Sequence, residues 1–519
     1  MRFFGWLGAA LVSLGLVAAP ARAAAQTIDT IIVVNRNIFD PIQAEELGFV
    51  AKAMNAVHLR TRASVIRRTL LLEQGEEYDS ALVAESERAL RSLRVFRYVA
   101  VDTARLDDRL ALLAVTSDGW STKPRASFTT AGGDATWEFG LIEENFLGLA
   151  STFVTVFRHT PDRQEVVLRY RSPHFLFRRT TLLAQYVDRS DGRRAVWRYG
   201  IPFYQTSAYW ALLTEGDAAD ERVLVFRDGA LDTALTRRHL RFGLTVGRAL
   251  RATSRDYLRV WLSGHWRRED IGAQDAPLPR SVFGAAGVGM ELAHVRFRVM
   301  HQFNSYARRE DVNLSQVLRL GVWAAPAPWG YPDAQAGIGP ELHGQVSSVW
   351  RTGFAALRVS GHGTLTGAGL DSGRVRASFT VADQRLPRQT WIAHVEGGAI
   401  RRPRPGTEFD LWRDDVGPRL FGAHAFTGTR MLWGTIENRL LLIPDLVGIL
   451  GIGIAPFIDL GGAWYADQDP RVGGNVGLAL RLGPNHAVRG DAHEIAFGYR
   501  FGEGQNGRWA IAVRRGTVF

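Results

Sequence analysis

The stretch Leu240-Arg241-Phe242-Gly243-Leu244-Thr245-Val246-Gly247 decides the fold: a large apolar side chain falls on every even position, and every odd one is charged, hydroxylated or a glycine. Successive side chains of a β-strand point to opposite faces, so such a segment has one apolar face and one that is polar or tiny. The pattern recurs at Leu258, Val260 and Leu262 against Arg259, Trp261 and Ser263, and at Val375, Ala377, Phe379 and Val381 against Arg374, Arg376, Ser378 and Thr380. It returns near the end, where Ile495, Phe497, Tyr499 and Phe501 alternate with Ala496, Gly498 and Arg500. From about Phe128 onward this period dominates, with turn residues between segments. It suits strands that have lipid on one side and a wet or tightly filled interior on the other.

A soluble sandwich or propeller alternates in the same way. Two features favour a membrane barrel: the polar face is rich in Arg and Gly, and Trp261, Trp266, Trp323, Trp391, Trp433 and Trp464 fall near segment ends, where interfacial girdles lie. Allowing roughly 24 residues for each strand with its turn and its share of a loop, the length predicts about sixteen strands. A membrane helix finds no support beyond the amino terminus. Its nearest candidate, Leu440 to Ile458, is interrupted by Pro444, Asp445, Gly451, Gly453 and Pro456. Only helices and closed barrels satisfy every backbone group in lipid, so a membrane protein of this sequence must use strands.

The first residues read as an export signal. Arg2 supplies positive charge, Leu7 to Ala19 an apolar stretch, and Ala21-Arg22-Ala23 a small-x-small cleavage pattern, so that the mature chain begins near Ala24 to Gln26. A retained anchor is the alternative, but the stretch is short for a bilayer. With no cysteine among 519 residues there is neither a disulfide framework nor thiol chemistry. The net charge of +11, carried mostly by Arg, raises nucleic acid as a partner. An exported chain does not meet it, so anionic lipid head groups and a watery lumen are the expected surroundings of these charges.

Thr27 to Thr116 reads differently. Ile31 to Val34 is a short strand, Ala63 to Leu72 a helix closed by Gly75, and Asp79 caps a second helix with Leu82, Val83, Leu90 and Leu93 on its buried stripe. Two strands follow, Tyr98 to Val101 and Leu110 to Val115, with a turn at Asp107-Asp108. The order strand, helix, helix, strand, strand defines a compact α+β unit.

That order, and the wording from Val65 to Val101, resembles the POTRA domain that precedes the barrel in the BamA and TamA superfamily. Glu144-Asn145-Phe146-Leu147-Gly148 looks like the phrase that follows the first barrel strand there. Phe457-Ile458-Asp459-Leu460-Gly461 resembles its F-x-D-x-G strand, and the chain stops on Phe519 as many such barrels stop on Phe. The resemblance spans Val65 to Phe519 and is carried by the shared order of individually weak phrases. It implies three units: residues 1–25 as signal peptide, 27–120 as a periplasmic POTRA-like domain, and 126–519 as a transmembrane barrel of the bacterial surface antigen type.

The family's in-folded loop carries V-R-G-F or V-R-G-Y. Here Pro418-Arg419-Leu420-Phe421-Gly422 stands at the matching place, with Arg kept and the Gly and aromatic displaced; Val488-Arg489-Gly490 lies too late in the chain to correspond. By the resemblance, Arg419 reaches across the lumen toward Asp459 and Glu437 and pins the loop to the inner wall. A guanidinium in a partly dry barrel requires a carboxylate, and a fork-to-fork pair also fixes direction. The alternatives are a solvated lumen charge, or a local network with Arg413, Asp414 and Asp415. On the last strand Trp509, Ile511, Val513 and Phe519 keep the apolar alternation expected of a carboxy-terminal recognition strand, whereas Arg515 and Thr517 break it.

No G-x-S-x-G elbow, H-E-x-x-H or phosphate-cradling loop occurs. His493-Glu494 lacks a second His, and His58 reads as a packing or hydrogen-bonding residue. The sequence therefore predicts no enzyme, no cofactor and no metal. Through the resemblance it implies an outer-membrane barrel that assists protein insertion into or transport across that membrane without nucleotide. The expected partners are lipid, an extended client polypeptide at the edge of the periplasmic domain, and a periplasmic protein or lipoprotein. A passive channel or transporter with a periplasmic docking domain is the alternative.

Overall fold

The computed structural model describes residues 26–107, 109–131, 134–273, 280–306, 309–329, 336–447, 449–485, 492–504 and 507–515. The export signal, Val488-Arg489-Gly490, Thr517 and Phe519 lie outside them.

Twenty antiparallel strands close into one barrel, from Thr122–Ala131 to Trp509–Arg515. The expectation of about sixteen is corrected. The allowance per strand was too generous, because many hairpins turn in two residues. Asp228-Gly229, joining Trp210–Arg227 to Ala230–Ala252, is one such turn, with both residues at positive φ (54° and 82°), as a tight hairpin requires. Leu240, Phe242, Leu244 and Val246 stand exposed on the outer wall, as do Leu318, Leu320 and Val322. The facing positions turn inward, where arginines and carboxylates alternate from strand to strand: Arg125–Glu138–Arg158–Glu165–Arg189–Glu221–Arg237 runs round the wall as a ladder of ion pairs. An apolar exterior around a charged interior is the build of a barrel that spans lipid. The aromatic expectation is corrected in part. Trp266 and Trp391 are exposed, but Trp433 is buried and donates to Glu396, Trp261 lies under the Arg319 guanidinium, and Trp323 packs on Phe283 and Ala325.

The amino-terminal unit is also not the two-helix domain expected. A three-stranded sheet has β1 (Thr30–Arg36) parallel to β3 (Arg109–Asp118), which pairs antiparallel with β2 (Phe96–Leu106). Four helices lie between β1 and β2: α1 (Pro41–Glu46), α2 (Phe49–Val57), α3 (Ala63–Thr69) and α4 (Ser80–Ser92). The first was missed although its signal stands in the sequence, since Asp40 and Gln43 form a capping box around Pro41 at the first helical position, whereas α2 starts after Gly48 with no side-chain cap. Ile66, Leu70, Leu90 and Leu112 are fully buried at the centre of this unit. His58 bonds the buried Asp118 at 2.9 Å, and Asp118 also accepts from the Thr61 amide.

The unit is docked on one rim of the barrel by polar contacts. Asn145, at the end of the second strand Asp134–Phe146 rather than after the first, donates to the Leu59 carbonyl at 2.8 Å. The Glu85 carboxylate accepts from the Thr206 amide at 2.6 Å, and Arg91 forks onto Asp311 at 2.7 and 3.0 Å. His174, in the turn after Gln164–Ser172, bonds Thr69 at 2.9 Å. Burial, helped by Arg68, Arg178 and Arg179, lowers the His174 pKa to about 4, so its imidazole is neutral when docked. Between pH 6.5 and 4 the undocked state binds more protons, and docking must weaken as pH falls through that window. We expect hydrogen exchange in residues 63–75 of the reconstituted protein to accelerate on acidification from pH 7 to 4, and His174→Gln to remove most of that dependence.

Candidate functional site

Two segments fold into the lumen from opposite rims. The loop between Gln389–Arg401 and Arg430–Leu446 enters from the rim opposite the amino-terminal unit, held together by Phe409, Leu411, Phe421 and Phe426 and by a short pairing of Phe409–Asp410 with Thr427–Gly428. From the docked rim comes a hairpin, Phe297–His301 with Arg309–Asn313, which the sequence reading did not detect because its strands are only five residues long.

The loop places Arg419 at the centre of a dry charge cluster. Its Nε and Nη2 grip both oxygens of Asp459 at 2.9 and 3.0 Å, and its backbone N–H adds a third bond to Asp459 at 3.1 Å. Nη2 also reaches Glu437 at 3.0 Å and Thr435 at 3.2 Å, and Nη1 reaches Glu494 at 3.4 Å. The guanidinium lies 4.0 Å over the ring of Phe457. Glu437 is shared with Arg439 and Glu494 with Arg481, so three guanidiniums face three carboxylates, every one of these side chains at most 3% exposed. Asn475 completes the cage by donating to Asp459 at 2.8 Å and accepting from the Leu420 amide at 3.1 Å.

The sequence had brought Arg419, Asp459 and Glu437 together only through the resemblance. Glu494, set aside as half of a broken zinc motif, is the third carboxylate, and alternation along His493–Gly502 would have put it on the inner face with Arg500. Arg413 and Asp415 do not compete for Arg419: Arg413 pairs with Asp410 at 3.7 Å and Asp415 with Arg514 at 3.6 Å. Phe421 is buried against Phe426, and Gly422 is half-buried beside it. Gly461 of the F-x-D-x-G phrase is required by close approach, since a Cβ there would fall 2.4 Å from the Trp433 Cα. Trp509 and Ile511 are exposed on the outer wall, and Val513, at the same parity of the strand, is half-buried.

A second tie holds the loop at its outer end. His424 bonds Asp410 through Nδ1 at 2.6 Å and Asp162 through Nε2 at 3.0 Å, and it stacks on Phe226 with ring centroids 3.6 Å apart. The two carboxylates overcome the cost of burial and raise its pKa. Between the loop and the wall remains a cavity of about 630 Å³, lined by Arg125, Arg158, Arg189, Arg222 and Arg237 among others. Among the described residues no group of three or more His, Cys, Asp or Glu has the arrangement to hold a metal ion.

No family model and no curated protein matches the chain. Among solved structures it is similar to CdiB from Escherichia coli, with 10% identity, TM-score 0.46, 98% of this chain and 93% of that one covered. It is also similar to BamA from Haemophilus ducreyi lacking POTRA domains 1–3, with 12% identity, TM-score 0.40 and coverage of 93% and 84%. CdiB from Acinetobacter baumannii follows at 10% identity, TM-score 0.42 and coverage of 87% and 73%. Likeness at this level is one of general shape.

Removing one member of a buried ion cluster strands its partners. Arg419→Ala should destabilise the loop by about 3–5 kcal/mol, seen as rapid cleavage of residues 402–429 by protease added on the far side of the membrane, while Arg413→Ala leaves it protected. The His424 tie has the opposite pH sense to His174. A raised cation pKa stabilises fully at low pH and loses that stabilisation as pH rises through the raised value. Protection of the loop should therefore decline as pH rises through that raised value, and His424→Gln should flatten the profile.

Proposed function

We propose that the chain is an outer-membrane barrel of the insertase and translocase superfamily, which helps polypeptide enter or cross that membrane without nucleotide. The observation that carries this reading is the seam. Among the described residues, strand Trp509–Arg515 meets Thr122–Ala131 in one register pair, Ala512 with Thr129, whereas the flanking junctions of these strands run to seven and ten pairs. A seam with so short a described register is the place where a barrel opens at least cost, because every backbone pair broken in lipid is expensive. An incoming strand can complete the edges that opening exposes, which is the logic of β-strand addition. The energy then comes from folding of the client. β1 and β2 are the outer strands of the described sheet, and β1 in particular supplies a second, periplasmic place for an extended chain to pair, the β2 edge being partly met by Glu87 at the Val101 amide.

A passive channel is the second reading, favoured by the cavity beside the loop, whose lining arginines outnumber the carboxylates Glu138, Glu165 and Glu221 that pair with them and so would favour anions. A disulfide across the seam separates the two. We expect Thr129→Cys with Ala512→Cys, oxidised, to abolish insertion of client barrels in cells and reduction to restore it, with no change in conductance. If locking the seam leaves client levels untouched while the protein conducts anions, the insertase reading fails and the channel stands.

A further inference from the structure

The helix α2 is amphipathic in the wrong sense for a helix in water. Its inner side is sealed: Ala51 packs with Ile38, Phe39 and Ala44, next to Trp120, and the Asn55 side chain both accepts from the Phe39 amide and donates to the Phe39 carbonyl. On the opposite side, at helical spacing, stand Phe49, Val50 and Val57, with Ala53 and Ala56 between them. Phe49 is 85% exposed and Val57 70%. Lys52, at the edge of this face, is drawn aside by Glu45 at 2.7 Å. Leu59 beyond the helix and Ile42 on α1 extend the same apolar exposure. A surface helix ordinarily shows water its polar side, and a contiguous apolar face marks an interaction surface.

The neighbourhood says what covers it. Leu59 is tied to Asn145, and the Arg62 amide donates to the Gly148 carbonyl at 2.9 Å, so the end of α2 is fastened to the turn after Asp134–Phe146. Phe146 opens a row of rings along the outer wall: Phe146 meets Phe153 at 5.6 Å and Tyr170 at 6.5 Å, Tyr170 meets Phe175 at 6.4 Å, and Phe175 meets Tyr199 at 6.2 Å. Such a row marks the boundary between hydrocarbon and water. Leu147, Leu176 and Phe177 are exposed on the same rim. The end of α2 thus lies beside the lipid-facing wall, at the level where the bilayer ends.

We propose that α1 and α2 form an interfacial membrane element, with Phe49, Val50 and Val57 seated in the head-group boundary of the leaflet facing the amino-terminal unit. The occupant is a lipid surface, and the inference rests on the reading of the barrel as bilayer-spanning. Nine residues bury too little to anchor a protein alone. On a chain already held by its barrel, they fix the unit against the membrane plane beside Trp120, which leads directly into the first barrel strand.

The absence of cysteine makes the test simple. Single variants Phe49→Cys, Val57→Cys, Leu141→Cys and Arg105→Cys of the full chain carry a fluorophore, are reconstituted into phosphatidylglycerol and phosphatidylethanolamine vesicles, and are compared with and without brominated acyl chains. Leu141 is lipid-facing, and Arg105 lies at the end of the β2–β3 hairpin away from the barrel. We expect the labels at Phe49 and Val57 to lose about half their emission, as at Leu141, and the label at Arg105 to change little. Quenching at Leu141 but at neither helix position overturns the inference and leaves the barrel reading intact; no quenching at Leu141 overturns both. Helix labels that ignore lipid but are shielded from iodide by an added extended peptide, or that self-quench between copies, assign the face to a client or a second copy and likewise overturn it. Val57→Cys carries the test if Phe49→Cys fails to fold, as judged by heat-dependent migration.

Discussion

Charge balance in a dry lumen is the constraint on which the interior depends. A guanidinium taken out of water costs several kcal/mol unless carboxylates replace its solvent, and the replacement must be geometrically complete. Around Arg419 it is: both oxygens of Asp459, one of Glu437 and one of Glu494 face it, while Arg439 and Arg481 neutralise what remains. The loop cannot slide without leaving a buried charge unpaired. Its position relative to the strands Arg430–Leu446, Leu450–Trp464 and His493–Gly502 is therefore set by electrostatics, and Phe409, Phe421 and Phe426 make it rigid.

The same cluster joins the two rims. Arg439, bound to Glu437, donates to the Phe303 carbonyl at 2.6 Å and to Asn304 at 3.1 Å, so the hairpin from the docked rim meets the loop from the far rim at mid-lumen. The hairpin carries Asp311, which Arg91 of the amino-terminal unit holds. Polar contacts therefore form a column from α4 through Asp311, the hairpin, Arg439, Glu437 and Arg419 to His424 at the opposite end. One wall of the barrel is braced by this column. The loop also touches the last strand, through Leu420 packed with Ala510 and Ala512 and through the Asp415–Arg514 pair, while among the described residues the junction of last and first strands shows one register pair.

Much of the wall was legible in the residues. The period of two at Leu240 to Val246 tells which side chains meet lipid, because the strand's geometry ties face to parity. The number of strands was not legible: counting requires turn lengths, and turns such as Asp228-Gly229 are shorter than any average. Trp433 and Trp261 were misplaced for a related reason. Their distance along the chain from a turn suggested a girdle, yet parity sends both inward, where Glu396 and Arg319 receive them.

Local rules, then, decide here whatever depends on near neighbours: the alternating strands, the Asp79 cap of α4, the Asp40–Gln43 box that starts α1, and the need for an acid near a buried Arg. Which acid is a matter of the closed barrel. Arg419 and Glu494 are separated by 75 residues and Arg91 and Asp311 by 220, and they meet only because closure brings distant strands round one lumen. Pairing at such range leaves no periodic trace in the chain. For the same reason the apolar face of α2 was not read from the sequence, and its place beside the rim of aromatic rings is given only by the tie of Leu59 to Asn145.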